Sequence, residues 1–216
     1  MGKKFNILIF TDLDGSLLHR DTFKFEEIKE YIKELILKGI LIIPNTSKTE
    51  KEILDFNNEI GSALPYISEN GAAINGLDLL NSNLPKELIL SREKDNLIKI
   101  FEKSVPVNLQ TKCKWLSEMD KKKQRLIFGL EDAKLKMALD RKYSIPFIFE
   151  GTKSEKKELS AIVKKKGLAL QEGGRVINLT DKANKAKALQ VFVRFFKKNN
   201  ENVKTIAVGD NYNDLD

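Results

Sequence analysis

Two reactive side chains are almost missing from this 216-residue sequence, which has one cysteine, Cys113, and one histidine, His19. A lone thiol excludes an intramolecular disulfide and a thiolate metal cluster. A lone imidazole disfavours chemistry built on several histidines, and His19 reads as a loop residue. Long apolar runs are also missing. The first, Phe5 to Phe10, stops before Asp12, too short for a secretory leader or a membrane span. No later stretch approaches the ~18 apolar residues that a span needs. The expectation is a soluble cytoplasmic chain with no membrane partner. Charge of one sign is in excess without being focused: 38 Lys and Arg against 31 Asp and Glu give +7. The small basic clusters, Lys121–Lys123, Lys156–Lys157 and Lys164–Lys166, lack the interleaved aromatics or motif that nucleic-acid binding would show. No nucleic-acid partner is expected. A lysine-rich solvated surface fits better, and it would favour a small anionic substrate.

The 41% hydrophobic content suffices for a packed core, and the length allows one large or two modest domains. Phe5 to Phe10 has the composition of a buried strand. Phe25 to Lys38 places apolar residues at helical spacing and stops at Gly39. Ile40 to Ile43 reads as a second strand, Glu50 to Ile60 as a helix, and Leu64 to Ser68 as a third strand. This β-α-β-α-β order predicts the opening of a doubly wound parallel sheet. From about position 80 the alternation breaks, with helices over 94–103, 131–141 and 155–165 and strands over 146–150, 168–171 and 176–179. Residues 105–116 yield no assignable element. Alternation resumes with a helix over 184–198 and an apolar strand over 203–208. The sequence therefore predicts an α/β fold: a Rossmann-like core from 1–79 and 181–216, and an inserted α+β cap domain from 80–180. A core of this kind would be expected to continue past Asp216, so its C-terminal part reads as short.

Three core strands end in polar loops of complementary chemistry. The first carries Asp12 and Asp14 ahead of Gly15, where an open α/β sheet places its ligands. Two carboxylates there suit Mg²⁺, or a nucleophile paired with a proton carrier, although Asp-x-Asp-Gly alone is equally a helix cap or an Asx turn. The second loop carries Thr46, Ser47 and Lys48, able to hold phosphoryl oxygens. The last carries Asp210, Asn213 and Asp214, further hard oxygen ligands. A lysine opening the final helix would complete the set, and Lys182, Lys185 and Lys187 compete for that place.

Taken together, these segments resemble the haloacid dehalogenase superfamily of phosphatases over nearly the whole chain. Asp12-Leu13-Asp14-Gly15-Ser16 is similar to its first motif, with Ser16 for the usual threonine. The resemblance implies that Asp12 is the nucleophile forming a phospho-aspartate and that Asp14 is the acid, then the base. It also puts Thr46 at the second-motif hydroxyl. Asn184-Lys185-Ala186-Lys187-Ala188-Leu189 aligns with the third motif and favours Lys185, with Asn and Ala replacing Asp and Gly. Mg²⁺ is the implied cofactor, held by Asp12, the Asp14 carbonyl and Asp210, with Asp214 beside it.

Asn45 to Thr49 followed by Glu52, then Ile67 to Ile74, Phe128-Gly129-Leu130, Arg141 to Phe147 and Gly173-Gly174-Arg175 resemble the mannosyl-3-phosphoglycerate phosphatases. By that resemblance the substrate-binding residues are Ser47, Lys48, Glu69, Asn70, Arg141, Gly174, Arg175 and Asn213. The partner is then a phosphorylated sugar or glycosyl-phosphoglycerate. Lys142 and Ile145 each replace a glutamate of that family, which leaves a glucosyl substrate open. A general sugar-phosphate phosphatase or phosphomutase, and an inactive binding module, are the alternatives.

Overall fold

The computed structural model of the chain describes residues 5–19, 22, 24–173, 175–197 and 202–210. They form two compact units, Met1–Leu90 with Ala183–Asp216 and Ser91–Lys182. The first unit opens with β1 (Ile7–Thr11), α1 (Glu26–Leu37), β2 (Ile40–Pro44) and α2 (Glu50–Ile60). Helix α2 is fixed at both ends by local chemistry. A reciprocal capping box joins Thr49 and Glu52 at its start, and Gly61 closes it in the left-handed conformation, so orphan amides and carbonyls are satisfied without outside help. Beyond it come β3 (Tyr66–Ser68), β4 (Ala73–Asn75) and β5 (Glu87–Ile89), an antiparallel trio. The expected third strand is present beside the end of β2, running parallel to it at the Asn45–Ile67 bridge, but its ladder is the antiparallel one with β4, so it does not extend the parallel sheet.

The second unit contains α3 (Lys94–Ser104), α4 (Val107–Gln110), β6 (Cys113–Trp115), α5 (Lys121–Phe128), α6 (Asp132–Leu139), β7 (Ser144–Phe149), α7 (Lys153–Lys165), β8 (Leu168–Glu172) and β9 (Ile177–Asp181). Its antiparallel sheet has the order β6-β7-β9-β8. Ile145, Phe147 and Leu179 from one sheet face join Leu97 and Phe101 of α3 and Leu159 and Val163 of α7 in a separate apolar core. Alternation along a strand sends Ser144, Asn178 and Thr180 to the other face. The chain enters this unit at Arg92 and leaves it at Asp181, and these two form a bidentate pair, Nε–Oδ2 2.7 Å and Nη2–Oδ1 2.8 Å. The guanidinium beside it holds the Asp181 carboxyl down to about 2. The unit begins later than position 80 because β5 pairs with β4, which keeps residues 80–90 with the first unit.

Helix α8 (Lys185–Lys197) and β10 (Lys204–Val208) return the chain to the first unit. Strands β10, β1 and β2 form a parallel sheet, with Thr11 level with Val208 on one side and with Pro44 on the other. All three strand ends therefore arrive at one edge. Phe10 meets Phe192 of α8 edge-on at 5.2 Å and 89°, inside a core that also holds Leu8, Leu13, Ile43, Ile53 and Ile67. That contact pins α8 against β1 and sets where its first residue lies. Among the described residues, no helix is long and apolar enough to cross a membrane.

Candidate active site

The site is built on the ends of β1, β2 and β10 and on the start of α8. Past β1 the backbone folds back on itself: Leu18 N donates to Leu13 O at 2.7 Å, and Gly15 N donates to Leu18 O at 2.9 Å. Leu13 is fully buried, which anchors the turn and leaves Asp12 and Asp14 flanking it. The Asp12 carboxylate lies 3.0 Å from Lys185 Nζ, with side-chain exposures of 11% and 3%. The Asp14 carboxylate lies 2.9 Å from Lys48 Nζ. Each aspartate thus has its own lysine.

Lys48 also reaches Glu52, at 3.5 Å. Burial alone would push the Lys48 ammonium down, but the Glu52 and Asp14 carboxylates outweigh it and its pKa ends raised. Thr46 is fully buried. Its hydroxyl accepts from Lys48 N at 3.3 Å, and its carbonyl accepts from Asn70 N at 2.9 Å. Ser47 sits half-buried between them.

The turn after β3 is strained. Glu69 and Asn70 are buried and have φ of 45° and 59°, a region costly for residues with a side chain. Hydrogen bonds to the β2 loop hold them there, including Glu69 N to Lys48 O at 2.9 Å. The Asn70 Oδ1 is buried with no hydrogen-bond partner among the described residues, as befits an acceptor waiting for a donor.

Gly71 follows at φ +91°, and a Cβ there would stand 2.2 Å from Asn184 O. Only glycine lets this turn pass so close to the residue before Lys185. Gly71→Ala is therefore expected to cost at least about 2 kcal/mol more than Gly61→Ala, which has only the ~1–2 kcal/mol left-handed penalty. At Gly61 φ is +74° and nothing lies within 4 Å. Denaturant unfolding of the two variants measures the difference.

Sequence reasoning gave no role to Gly71, Asn45 or Glu52. Asn45 Nδ2 donates to Lys185 O at 3.3 Å, tying the end of β2 to the start of α8. Asn184, which stands where the family pattern has Asp, accepts from Lys187 N at 2.8 Å and so caps α8 as Asp would. Of the three competing lysines, Lys185 reaches Asp12, while Lys182 lies in the second unit.

A Cβ on Gly15 would sit 2.5 Å from Asp210 Oδ2, so the Asp210 carboxylate packs against the Asp12–Gly15 turn. Among the described residues no three His, Cys, Asp or Glu side chains converge into a metal site. A cation would instead use Asp12, Asp210 and a backbone oxygen. Asn213, Asp214 and Gly174 lie outside the described residues.

Arg141 is buried in the second unit, giving Nε to Ala138 O at 3.1 Å and Nη1 to Ser144 Oγ at 2.9 Å. Arg175 donates to the Phe128 carbonyl. Both arginines are thus engaged within their own unit. Ile145 belongs to that unit's apolar core and offers no polar group to a sugar hydroxyl. Cys113, whose thiol is pushed up to about 11 by burial, is no nucleophile at neutral pH.

The family model for haloacid dehalogenase-like hydrolases matches residues 9–216. The chain belongs to that family. This hydrolase is 31% identical to a glucosyl-3-phosphoglycerate/mannosyl-3-phosphoglycerate phosphatase of Persephonella marina, over 97% of this chain and 80% of the relative. It is 28% identical to a mannosyl-3-phosphoglycerate phosphatase of Pyrococcus horikoshii, over 96% of this chain and 85% of the relative. A crystal structure from Thermoplasma acidophilum superposes on the hydrolase with a TM-score of 0.68 at 15% identity, covering 98% of this chain and 80% of the other. That likeness concerns the fold.

Proposed function

We propose that this hydrolase is a phosphatase that releases phosphate from a glycosyl-3-phosphoglycerate through a phospho-aspartate on Asp12. The observation that carries the reading is the buried Asp12–Lys185 pair at 3.0 Å, two residues from a second carboxylate with its own cation. An Asp12 oxygen attacks phosphorus, and the bond from phosphorus to the ester oxygen breaks. Asp14 gives its proton to that departing oxygen. It then takes a proton from a water molecule, whose attack on the same phosphorus frees inorganic phosphate and restores the Asp12 carboxylate. Lys185 balances charge on the phosphoryl oxygens, and the Thr46 hydroxyl and the Ser47–Lys48 segment bind them. The unpartnered Asn70 Oδ1 accepts from a substrate hydroxyl. Arg141 and Arg175, with Gly174 and Asn213, complete the proposed substrate set.

The donor set fits Mg²⁺, because Asp12, the Asp14 carbonyl and Asp210 offer hard oxygens and Gly15 leaves room for the Asp210 carboxylate. Asp214 supports that set. When bound, the cation lowers the repulsion between an anionic nucleophile and an anionic ester.

Mannosyl-3-phosphoglycerate is the leading substrate, and glucosyl-3-phosphoglycerate is the second reading because the Persephonella marina relative is named for both. Phosphate release from the two esters measured side by side, with a phosphosugar panel, tests the assignment. The expected result is turnover of at least one glycosyl-phosphoglycerate with higher kcat/KM than any simple sugar phosphate. Preference for simple sugar phosphates would reduce the reading to a general phosphatase, and binding without turnover would reduce it to a binding module.

A further inference from the structure

We propose that Glu52 is a positioning residue, which holds Lys48 and through it fixes the Asp14 carboxylate for proton delivery to the leaving oxygen. The inference rests on the phosphatase reading above. Glu52 uses its two oxygens for different tasks. Oε2 accepts the Thr49 amide at 2.9 Å and so completes the capping box of α2. Oε1 faces Lys48 Nζ at 3.5 Å. The same ammonium lies 2.9 Å from Asp14 Oδ1.

The carboxylate–ammonium–carboxylate chain is half closed to solvent, with side-chain exposures of 12%, 13% and 35% in that order. At such exposure an ion pair is screened less than at the surface, and the positions of its members are coupled. Lys48 is tethered from its backbone as well, through N to Thr46 Oγ1 and O from Glu69 N. Glu52 is set by a helix terminus and cannot follow Lys48 if the ammonium swings away. The chain thus runs from a rigid helix cap to one oxygen of Asp14 and leaves the other oxygen for the substrate. A carboxylate that must hand a proton to a particular oxygen gains from being held in this way.

The second unit supplies an internal comparison. Thr152 and Glu155 form the same capping box at α7, and Glu155 Oε1 likewise takes a lysine, Lys112, at 2.5 Å. There the chain stops, because Lys112 reaches no second carboxylate among the described residues. A capping box with a lysine on its glutamate is thus a structural device, and only the first one leads to a site aspartate.

Glu52→Gln separates the two tasks, since glutamine at this position still completes a capping box but turns an amide toward Lys48. The readout is kcat/KM on an alkyl ester, mannosyl-3-phosphoglycerate, and on an aryl ester, p-nitrophenyl phosphate, whose nitrophenolate leaves without needing a proton. For E52Q the alkyl value is expected to fall about tenfold more than the aryl value, a fraction of the 10²–10⁴ that general acid catalysis supplies. E155Q, with its melting temperature matched against E52Q, should leave the alkyl-to-aryl ratio unchanged. In a Lys48→Met background, E52Q should alter that ratio no further. Equal loss on both esters, no loss in E52Q, or a full E52Q effect without Lys48 would overturn the proposal. If E52Q does not fold, K48M alone decides, because an unchanged ratio there breaks the chain at its middle. Absence of any Asp12-dependent phosphate release from either ester in the unmutated chain is a separate failure, and it removes the phosphatase reading together with this one.

Discussion

Asp12→Asn is expected to lower phosphate release by at least about 10⁴-fold, the scale on which enzymes lose turnover when a nucleophile is removed. The neutral amide oxygen is too weak a nucleophile to replace the carboxylate in attack on phosphorus, and no phospho-aspartate should accumulate in rapid-quench mass spectrometry. Fold loss is not the cause. Asp12 lies in a turn held by backbone hydrogen bonds and by the buried Leu13, and asparagine keeps both. What does change is the surroundings of Lys185, which is 3% exposed and 3.0 Å from the replaced carboxylate. Leaving a buried charge wholly unpaired costs about 3–5 kcal/mol, but the asparagine oxygen still accepts from the ammonium, so the loss should stay below about 3 kcal/mol. Far-ultraviolet circular dichroism and a melt establish that the variant is folded. Turnover comparable with the unmutated chain would end the nucleophile assignment.

Much of this site was legible because its parts are local. A strand of Ile7, Leu8, Ile9 and Phe10 ending at Asp12 announces its own carboxyl end, and so does Ile40 to Ile43 ending at Thr46. The helices α1, α2 and α8 were readable because their apolar residues recur at helical spacing. Failures follow chain length and distance. Ala73-Ile74-Asn75 is too short to show a period, so β4 and the antiparallel pairing of β3 went unseen. Helix α5 begins Lys-Lys-Lys-Gln-Arg and looked like a solvated charge cluster. The remaining features are tertiary. Asn45 meets Lys185 across 140 positions, and Gly71 matters only because Asn184 passes within 2.2 Å of its missing Cβ. No pattern in one sequence encodes such approaches. Glu52 stood in the sequence only as a residue of the family resemblance, and its second oxygen acquires meaning only once Asp14 is placed beside Lys48.

Lys185→Met carries the second large effect and bears on the same ion pair from its other side. Methionine has similar length and no charge, so the variant removes the cation facing the Asp12 carboxylate and leaves the packing of α8 on β1 in place. Loss of one preorganised group that stabilises transition-state charge typically costs about 10²–10³ in kcat, and this is the expected fall. It is smaller than that of D12N because the nucleophile survives. D12N leaves the Lys185 ammonium, at 3% exposure, the weaker acceptor of an amide oxygen, whereas K185M takes from the Asp12 carboxylate, at 11%, the ammonium it faces. Methionine offers no donor in its place, so K185M should lose at least as much stability as D12N, on the scale of about 3–5 kcal/mol for breaking a buried pair. Activity and stability assays on the single variants and on D12N/K185M form one cycle. In the double variant both members of the pair are neutral, so its stability should exceed the additive expectation while turnover stays at the D12N level. Additive stabilities would mean that the two side chains do not interact, and a K185M variant with unchanged kcat would remove Lys185 from the chemistry and leave it a packing residue.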